Sequence, residues 1–208
     1  MKIEHYQRGF PYIIIQDLYT EEEEILIKKE LDFYLPSLKG PDDTASARNM
    51  DTGELLKKNK GLFLDSVFSD RSVSRILEFN RKTFTLLEEE KKKIGHDNWF
   101  FKKQKTDEDH TLISYYEDGD YYLPHDDTAL YTVLTWFYKE PKSFTGGDFV
   151  FPDYNVRIEC KNNMTIIFPS IISHSVECVK VDEDKLNQGF GRWCLTQFAA
   201  FRDKKDIG

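Results

Sequence analysis

Apolar residues recur along this chain with two different periods. From Thr20 to Pro36 the spacing of Ile27, Leu31, Tyr34 and Leu35 is helical, behind the opening Thr20-Glu21-Glu22-Glu23. A threonine followed three residues later by a glutamate has the form of a capping box, in which each side chain satisfies a backbone N–H that the helix leaves unpaired. Pro36 stops the run because it has no N–H to donate. A helix of about four turns is therefore predicted. Residues 40–61 show neither period and read as a long polar loop, of the kind that in compact domains is functional or disordered. A second helix is expected from Asp70, with Val73, Ile76, Leu77, Phe84 and Leu87 as its buried side and Glu88 to Lys93 as its solvated end.

Beyond residue 97 the pattern shortens to strands. Stretches rich in Tyr, Phe, Val, Ile and Thr are expected at 111–117, 121–125, 130–138, 148–151, 155–160, 164–168, 174–180 and 191–201, separated by turns such as Asp118-Gly119-Asp120 and Gly146-Gly147-Asp148. Short strands in one closing block imply an α+β fold with a mainly β core, a double-sheet jelly roll or double-stranded β-helix with supporting N-terminal helices. One domain over 1–208 is expected, with 1–100 as helical support and substrate-loop region and 101–208 as the jelly-roll core.

Composition narrows the picture. With 208 residues, 39% of them hydrophobic, the chain can fill a single core. Its 29 basic and 37 acidic residues give a net charge of −8, and no basic face is visible, which speaks against nucleic acid as a partner. No apolar run reaches the about 18 residues a membrane helix needs, and Met1-Lys2-Ile3-Glu4-His5-Tyr6 lacks the pattern of a secretory leader. A cytoplasmic, monomeric protein without membrane contact is expected. Cys160, Cys178 and Cys194, odd in number and without Cys-x-x-Cys spacing, read as reduced core residues.

Within the strand block stand His125-Asp126-Asp127 and, 47 residues after Asp127, His174. Strand positions i and i+2 share a face, so His125 and Asp127 can point at one spot and a neighbouring strand can bring His174. Two imidazoles and a carboxylate form a facial triad that leaves positions on a ferrous ion open. A His-x-Asp triplet is common by chance, but a third element accompanies it. Arg192 sits in an apolar strand 18 residues beyond His174, where a guanidinium is buried only if paired with an anion.

These residues resemble the iron(II)- and 2-oxoglutarate-dependent dioxygenases, in particular their prolyl 4-hydroxylase branch. Three segments between about Leu112 and Phe201 carry the resemblance: Tyr116-x-x-Gly119-x-x-Tyr122-x-x-His125-x-Asp127, the glycine turn Gly146-Gly147-Asp148-Phe149-Val150-Phe151, and Phe168-Pro169-Ser170 with His174-Ser175-Val176. The resemblance implies that His125, Asp127 and His174 hold Fe(II) and that Arg192 clamps the distal carboxylate of 2-oxoglutarate. It also implies a cosubstrate contact from Tyr116 and a hydroxyl from strand 130–138, for which Thr135 with Tyr131 is favoured and Tyr138 kept open. The implied activity is hydroxylation of a C–H bond, with succinate and carbon dioxide as co-products, dioxygen as co-reactant and ascorbate as an auxiliary reductant. A peptidyl proline is the first substrate expectation, with Arg48, Asn49 and Lys60-Gly61-Leu62-Phe63-Leu64 as candidate contacts. The alternatives are a hydroxylase of a free amino acid or other small molecule, and a non-catalytic metal-binding jelly-roll module. Nucleobase demethylation fits less well, because that branch places a second arginine where this chain has Phe198. The insertion-like stretch 181–188 is expected near the substrate side.

Overall fold

The computed structural model describes residues 1–44, 46–94 and 98–201. The capping box forms as its spacing requires: Thr20 N–H donates to Glu23 Oε2 at 2.8 Å, and Glu23 N–H donates to Thr20 Oγ1 at 3.3 Å. Helix α1 (Glu21–Tyr34) follows, with glutamates throughout its first turn, where the positive end of the helix dipole favours them, and with Ile27, Leu31 and Tyr34 buried.

The second expected helix is two helices. After a tight turn at Arg71–Val73, α2 (Arg75–Phe79) and α3 (Arg81–Lys91) meet at Asn80. Asn80 is buried: its Nδ2 donates to Thr111 Oγ1 at 2.9 Å, its Oδ1 accepts from Arg71 at 3.2 Å and Arg81 at 3.3 Å, and its backbone carbonyl accepts from Gln197 Nε2 at 3.3 Å. A buried amide must find partners, and with Thr111 and Gln197 on the sheet holding this residue the chain bends where the apolar period alone would let it run on. Val73 falls outside the helices and is exposed. Glu90, expected in a solvated end, is buried, with His5 Nε2 2.8 Å from its carboxylate.

The strands are β1 (Lys2–Gln7), β2 (Pro11–Gln16), β3 (Lys57–Lys58), β4 (Lys60–Phe63), β5 (Glu108–Tyr116), β6 (Tyr121–His125), β7 (Tyr131–Phe137), β8 (Phe144–Gly146), β9 (Phe149–Phe151), β10 (Val156–Ile158), β11 (Met164–Pro169), β12 (His174–Val176), β13 (Val179–Val181) and β14 (Arg192–Ala200). A short helix, α4 (Trp99–Lys103), precedes β5. The larger sheet runs β1-β2-β11-β7-β14-β5-β4, a second sheet runs β10-β9-β12-β6-β3, and β13-β8 form a ribbon. Every pairing in the two sheets is antiparallel. The jelly-roll expectation holds, but the stretch expected at 174–180 is two strands, β8 was not foreseen, and residues 1–100 contribute β1 to β4 besides helices.

Alternation along the large sheet builds two cores. Ile13, Ile113, Tyr131, Val133, Phe137 and Leu195 pack with Ile27, Leu31, Ile76, Leu77 and Leu87 from the helices. Ile14, Tyr116, Leu134, Trp136, Ile166 and Cys194 face the second sheet, where Phe149, Phe151 and Val176 meet them. Strands of the large sheet are thus apolar on both faces, and the face between the sheets is the one that carries the chemistry.

Candidate active site

Strands β6 and β12 are neighbours with His125 directly opposite His174, so the register of one strand pair brings the two imidazoles together. Asp127 lies just beyond β6, where its backbone N–H donates to the Ser170 carbonyl at 3.0 Å. Its carboxylate stands 3.5 Å from His174 Nε2 and 4.0 Å from His125 Nε2, and one ligand atom from each of the three residues lies within 4.8 Å of the others.

The surroundings aim these groups. His125 Nδ1 is 2.9 Å from the Leu123 carbonyl and His174 Nδ1 is 2.8 Å from the Ile172 carbonyl. A carbonyl can only accept, so each ring donates its Nδ1–H there and presents the Nε2 lone pair to the centre. Burial, and then the proximity of His174, pull the His125 pKa down to about 3, so this ring is neutral and ready to ligate near pH 7. Thr132 Oγ1 donates to Asp127 Oδ2 at 2.6 Å and lies 2.8 Å from Ser170 Oγ. Burial raises the Asp127 pKa, against the opposing pull of His174 and Thr132. Two imidazoles presenting Nε2 and a desolvated carboxylate facing one point fit a divalent cation, and the donor set is that of a ferrous facial triad with open positions.

A cavity between the sheets extends from these ligands to Arg192. Arg192 is 0% exposed and none of its three guanidinium nitrogens has a hydrogen-bond partner among the described residues. Flanking it are the Tyr116 ring, with its centroid 4.9 Å away, the Trp136 ring at 5.6 Å, and the Cys160 and Cys194 thiols. A buried, unpaired guanidinium is costly, and its planar fork matches a carboxylate. The residues therefore fit 2-oxoglutarate as they fit iron. The glycine turn makes room for this: Gly147 has φ +71°, and a Cβ there would stand 2.9 Å from Arg192 Cδ.

Tyr116 lines the cavity as expected, whereas Thr135 and Tyr131 do not. Thr135 Oγ1 is 2.8 Å from Thr165 Oγ1, and the Tyr131 hydroxyl is 3.0 Å from Thr106 Oγ1 in the helix-side core. On β7 the site-facing residues are instead Thr132, Leu134 and Trp136. Because every residue of β7 is buried, alternation offered two equivalent faces and the sequence could not choose between them. Lys57, Asn59, Ser114 and Thr196 also line the cavity and were missed. Ser114 and Thr196 share strand parity with Tyr116 and Arg192, which is a usable signal. Lys57 and Asn59 lie in a polar stretch that offered none. Of the cysteines, all three are free, but Cys178 is exposed rather than in the core.

Residues 46–56 strap along β6. Ala47 N–H donates to the Tyr122 hydroxyl at 3.0 Å, Leu123 N–H donates to the Leu56 carbonyl at 2.8 Å, and Arg48 bridges to Leu55. The Tyr122 ring in turn stacks on His125, with centroids 3.4 Å apart. Arg48, Asn49, Met50, Phe63 and Phe198 wall a groove that opens onto His125 and Asp127. Of the other expected contacts, Leu62 and Leu64 pack in the helix-side core and Lys60 faces solvent. The 181–188 stretch lines neither cavity. Its end is tied to Glu117 and Lys139, through Asn187 N–H and the Gln188 carbonyl.

Residues 111–200 match the family model of the 2OG-Fe(II) oxygenase superfamily. No curated protein matches the sequence. Among solved structures, the chain is similar to the viral collagen prolyl hydroxylase of Paramecium bursaria Chlorella virus-1, with 17% identity, 91% of this chain and 96% of that one covered, and a TM-score of 0.57. It is similar to a Trichoplax adhaerens prolyl hydroxylase in complex with a hypoxia inducible factor peptide fragment, with 12% identity, 91% and 83% covered, and a TM-score of 0.62. It is also similar to OsALKBH1, with 13% identity, 97% and 100% covered, and a TM-score of 0.56. At these identities the likeness is one of fold. The strand block, residues 111–200, is thus similar to the 2OG-Fe(II) oxygenase superfamily, and the His125, Asp127 and His174 cluster within it could hold the metal ion that such a site needs.

Proposed function

We propose that this protein is an iron(II)- and 2-oxoglutarate-dependent dioxygenase that hydroxylates a prolyl residue within a peptide or protein. The observation that carries this reading is the groove over the metal ligands. Segment 46–56 is tied to Tyr122 and Leu123 beside His125, and with Phe63 and Phe198 it walls a solvent-open groove outside the inner cavity, room that a peptide segment uses and a small metabolite does not need. The prolyl hydroxylases of similar fold, one of them bound to a peptide fragment, add support.

In this reading His125, Asp127 and His174 hold iron and Arg192 takes the far carboxylate of 2-oxoglutarate. Bound together, these two supply the oxidising power for an unactivated C–H bond, with succinate and carbon dioxide as co-products. The chain supplies position and exclusion of water: the Leu123 and Ile172 carbonyls fix the rings, Thr132 fixes the carboxylate, and the aromatic walls keep the reacting bond dry. The net charge of −8 favours a peptide over nucleic acid, and three unpaired thiols favour a reducing compartment such as the cytoplasm.

Incubating the iron-loaded protein with 2-oxoglutarate, ascorbate and a proline-peptide library under air, followed by mass spectrometry, tests the assignment. Peptides that gain one oxygen atom on proline, with none in a His174→Ala control, are the expected result. Unmodified peptides beside an oxidised free amino acid would move the substrate to small molecules.

A further inference from the structure

Two polar side chains in the cavity have no part in the assignment above. Lys57 is on β3, paired opposite Tyr122, and Asn59 follows two residues later, so both point inward while Lys58 between them points out and pairs with Asp120. Lys57 is only 5% exposed, yet its ammonium makes no direct hydrogen bond or ion pair with any described residue, and Asp127 is the carboxylate whose charge reaches it. The one ring it approaches is Tyr122, with Nζ 5.3 Å from the centroid. Asn59 is 4% exposed, and neither its amide oxygen nor its amide nitrogen completes a hydrogen bond among the described residues, the Tyr116 hydroxyl being the group it approaches. Both line the cavity that holds His125, Asp127, Tyr116 and Arg192.

A buried ammonium and a buried amide without partners are each unfavourable, and two of them side by side at one wall are what a ligand-binding surface leaves when the ligand is away. The two cations of the cavity stand at different ends. The charge of Lys57 acts on His125 and Asp127, whereas that of Arg192 acts on Tyr116, Cys160 and Cys194. An anion held by Arg192 therefore leaves Lys57 facing whatever occupies the metal end, with Asn59 beside the Tyr116 hydroxyl between the two cations.

We propose that Lys57 and Asn59 form a second carboxylate-binding subsite in this cavity, separate from Arg192, with the Lys57 ammonium at the metal end and the Asn59 amide beside Tyr116. The ammonium neutralises the carboxylate and the Asn59 amide N–H donates to it. The carboxylate is either the one of 2-oxoglutarate that lies away from Arg192 or an acidic group of the substrate. The cosubstrate alternative is independent of the substrate's identity, whereas the substrate alternative rests on the prolyl-peptide reading.

Calorimetric binding separates the two sources. Lys57→Met keeps the length of the side chain and removes its charge, and Asn59→Asp keeps the shape and adds a repelling charge. 2-Oxoglutarate is titrated into each variant and the wild type, loaded with Mn(II) so that no turnover occurs. If the cosubstrate is the source, each variant binds it at least about tenfold more weakly, the scale of a lost charge-assisted hydrogen bond. Lys57→Arg restores part of the affinity. If the substrate is the source, 2-oxoglutarate affinity is unchanged and only peptides carrying an acidic side chain or free C-terminus beside the proline lose affinity. Thermal melting without ligand guards against a structural explanation: the subsite predicts that Lys57→Met melts no lower than wild type, because an unpaired buried charge has been removed. Unchanged affinity for 2-oxoglutarate and for acidic and neutral peptides alike in both variants overturns the proposal. So does a Lys57→Met protein that melts lower and binds normally.

Discussion

A guanidinium buried with every nitrogen unpaired is expensive, on the order of 1–3 kcal/mol for each unsatisfied buried group, and Arg192 holds three such nitrogens. Arg192→Met keeps the bulk and removes the cost. The ligand-free variant should unfold at higher urea, by about 1–4 kcal/mol, yet gain no stability from added 2-oxoglutarate. Thr132 gives a second test at this scale. Thr132→Val deletes the hydroxyl that orients Asp127 and should weaken metal binding by about 10–100-fold in a chelator competition. The His125 ring sets a pH dependence in the metal-free protein. Its folded pKa of about 3 lies below its ordinary 6.5, so between these values the unfolded chain takes up a proton that the folded chain does not. Its contribution is therefore complete above about pH 6.5 and is lost as pH falls toward 3, at up to about 1.4 kcal/mol per unit. Urea midpoints between pH 7 and 4 should fall less steeply in His125→Gln. The His125, Asp127 and His174 cluster and Arg192 were legible because strand parity and a charge in an apolar run are local signals. The hydroxyl partners of the site were not, since which face of β7 meets the second sheet is decided by packing with distant strands.

Among the elements, β1 and β2 show what the reading of periods missed. Tyr12-Ile13-Ile14-Ile15 is a short apolar run, the mark of a strand buried on both faces, and β2 completes the large sheet beside β11. Ile13 is fully buried against the helices, so Ile13→Ala should cost about 2–5 kcal/mol in urea unfolding without altering metal stoichiometry. Helix α1 was legible to its cap because a capping box and a proline are both local. The division at Asn80 was not, because two of that residue's partners, Thr111 on its amide nitrogen and Gln197 on its backbone carbonyl, are far away in sequence. The polar 40–61 segment concealed β3, β4 and the bridge between Arg48 and Leu55, all of which depend on pairing with β5, β6 or each other rather than on any period. Replacing residues 49–54 with a shorter turn should leave the thermal shift induced by 2-oxoglutarate intact and abolish peptide hydroxylation, since it removes one wall of the groove but nothing from the inner cavity.

At the scale of the molecule, the two sheets do different work. The larger sheet is braced by helices on one side and offers Arg192, Tyr116 and Trp136 on the other; the smaller one brings His125 opposite His174, with Asp127 just past the end of β6. The cavity between them has a cation at its deep end and a ligand triad at its mouth, an arrangement that neither sheet makes alone. The most direct test is a sequential calorimetric titration under argon, with Fe(II) first and 2-oxoglutarate second. The structure predicts one metal per chain, none in His174→Ala, and a dicarboxylate that binds the metal-loaded wild type but not Arg192→Met. Full metal occupancy in His174→Ala, or 2-oxoglutarate binding indifferent to the loss of Arg192, would contradict it.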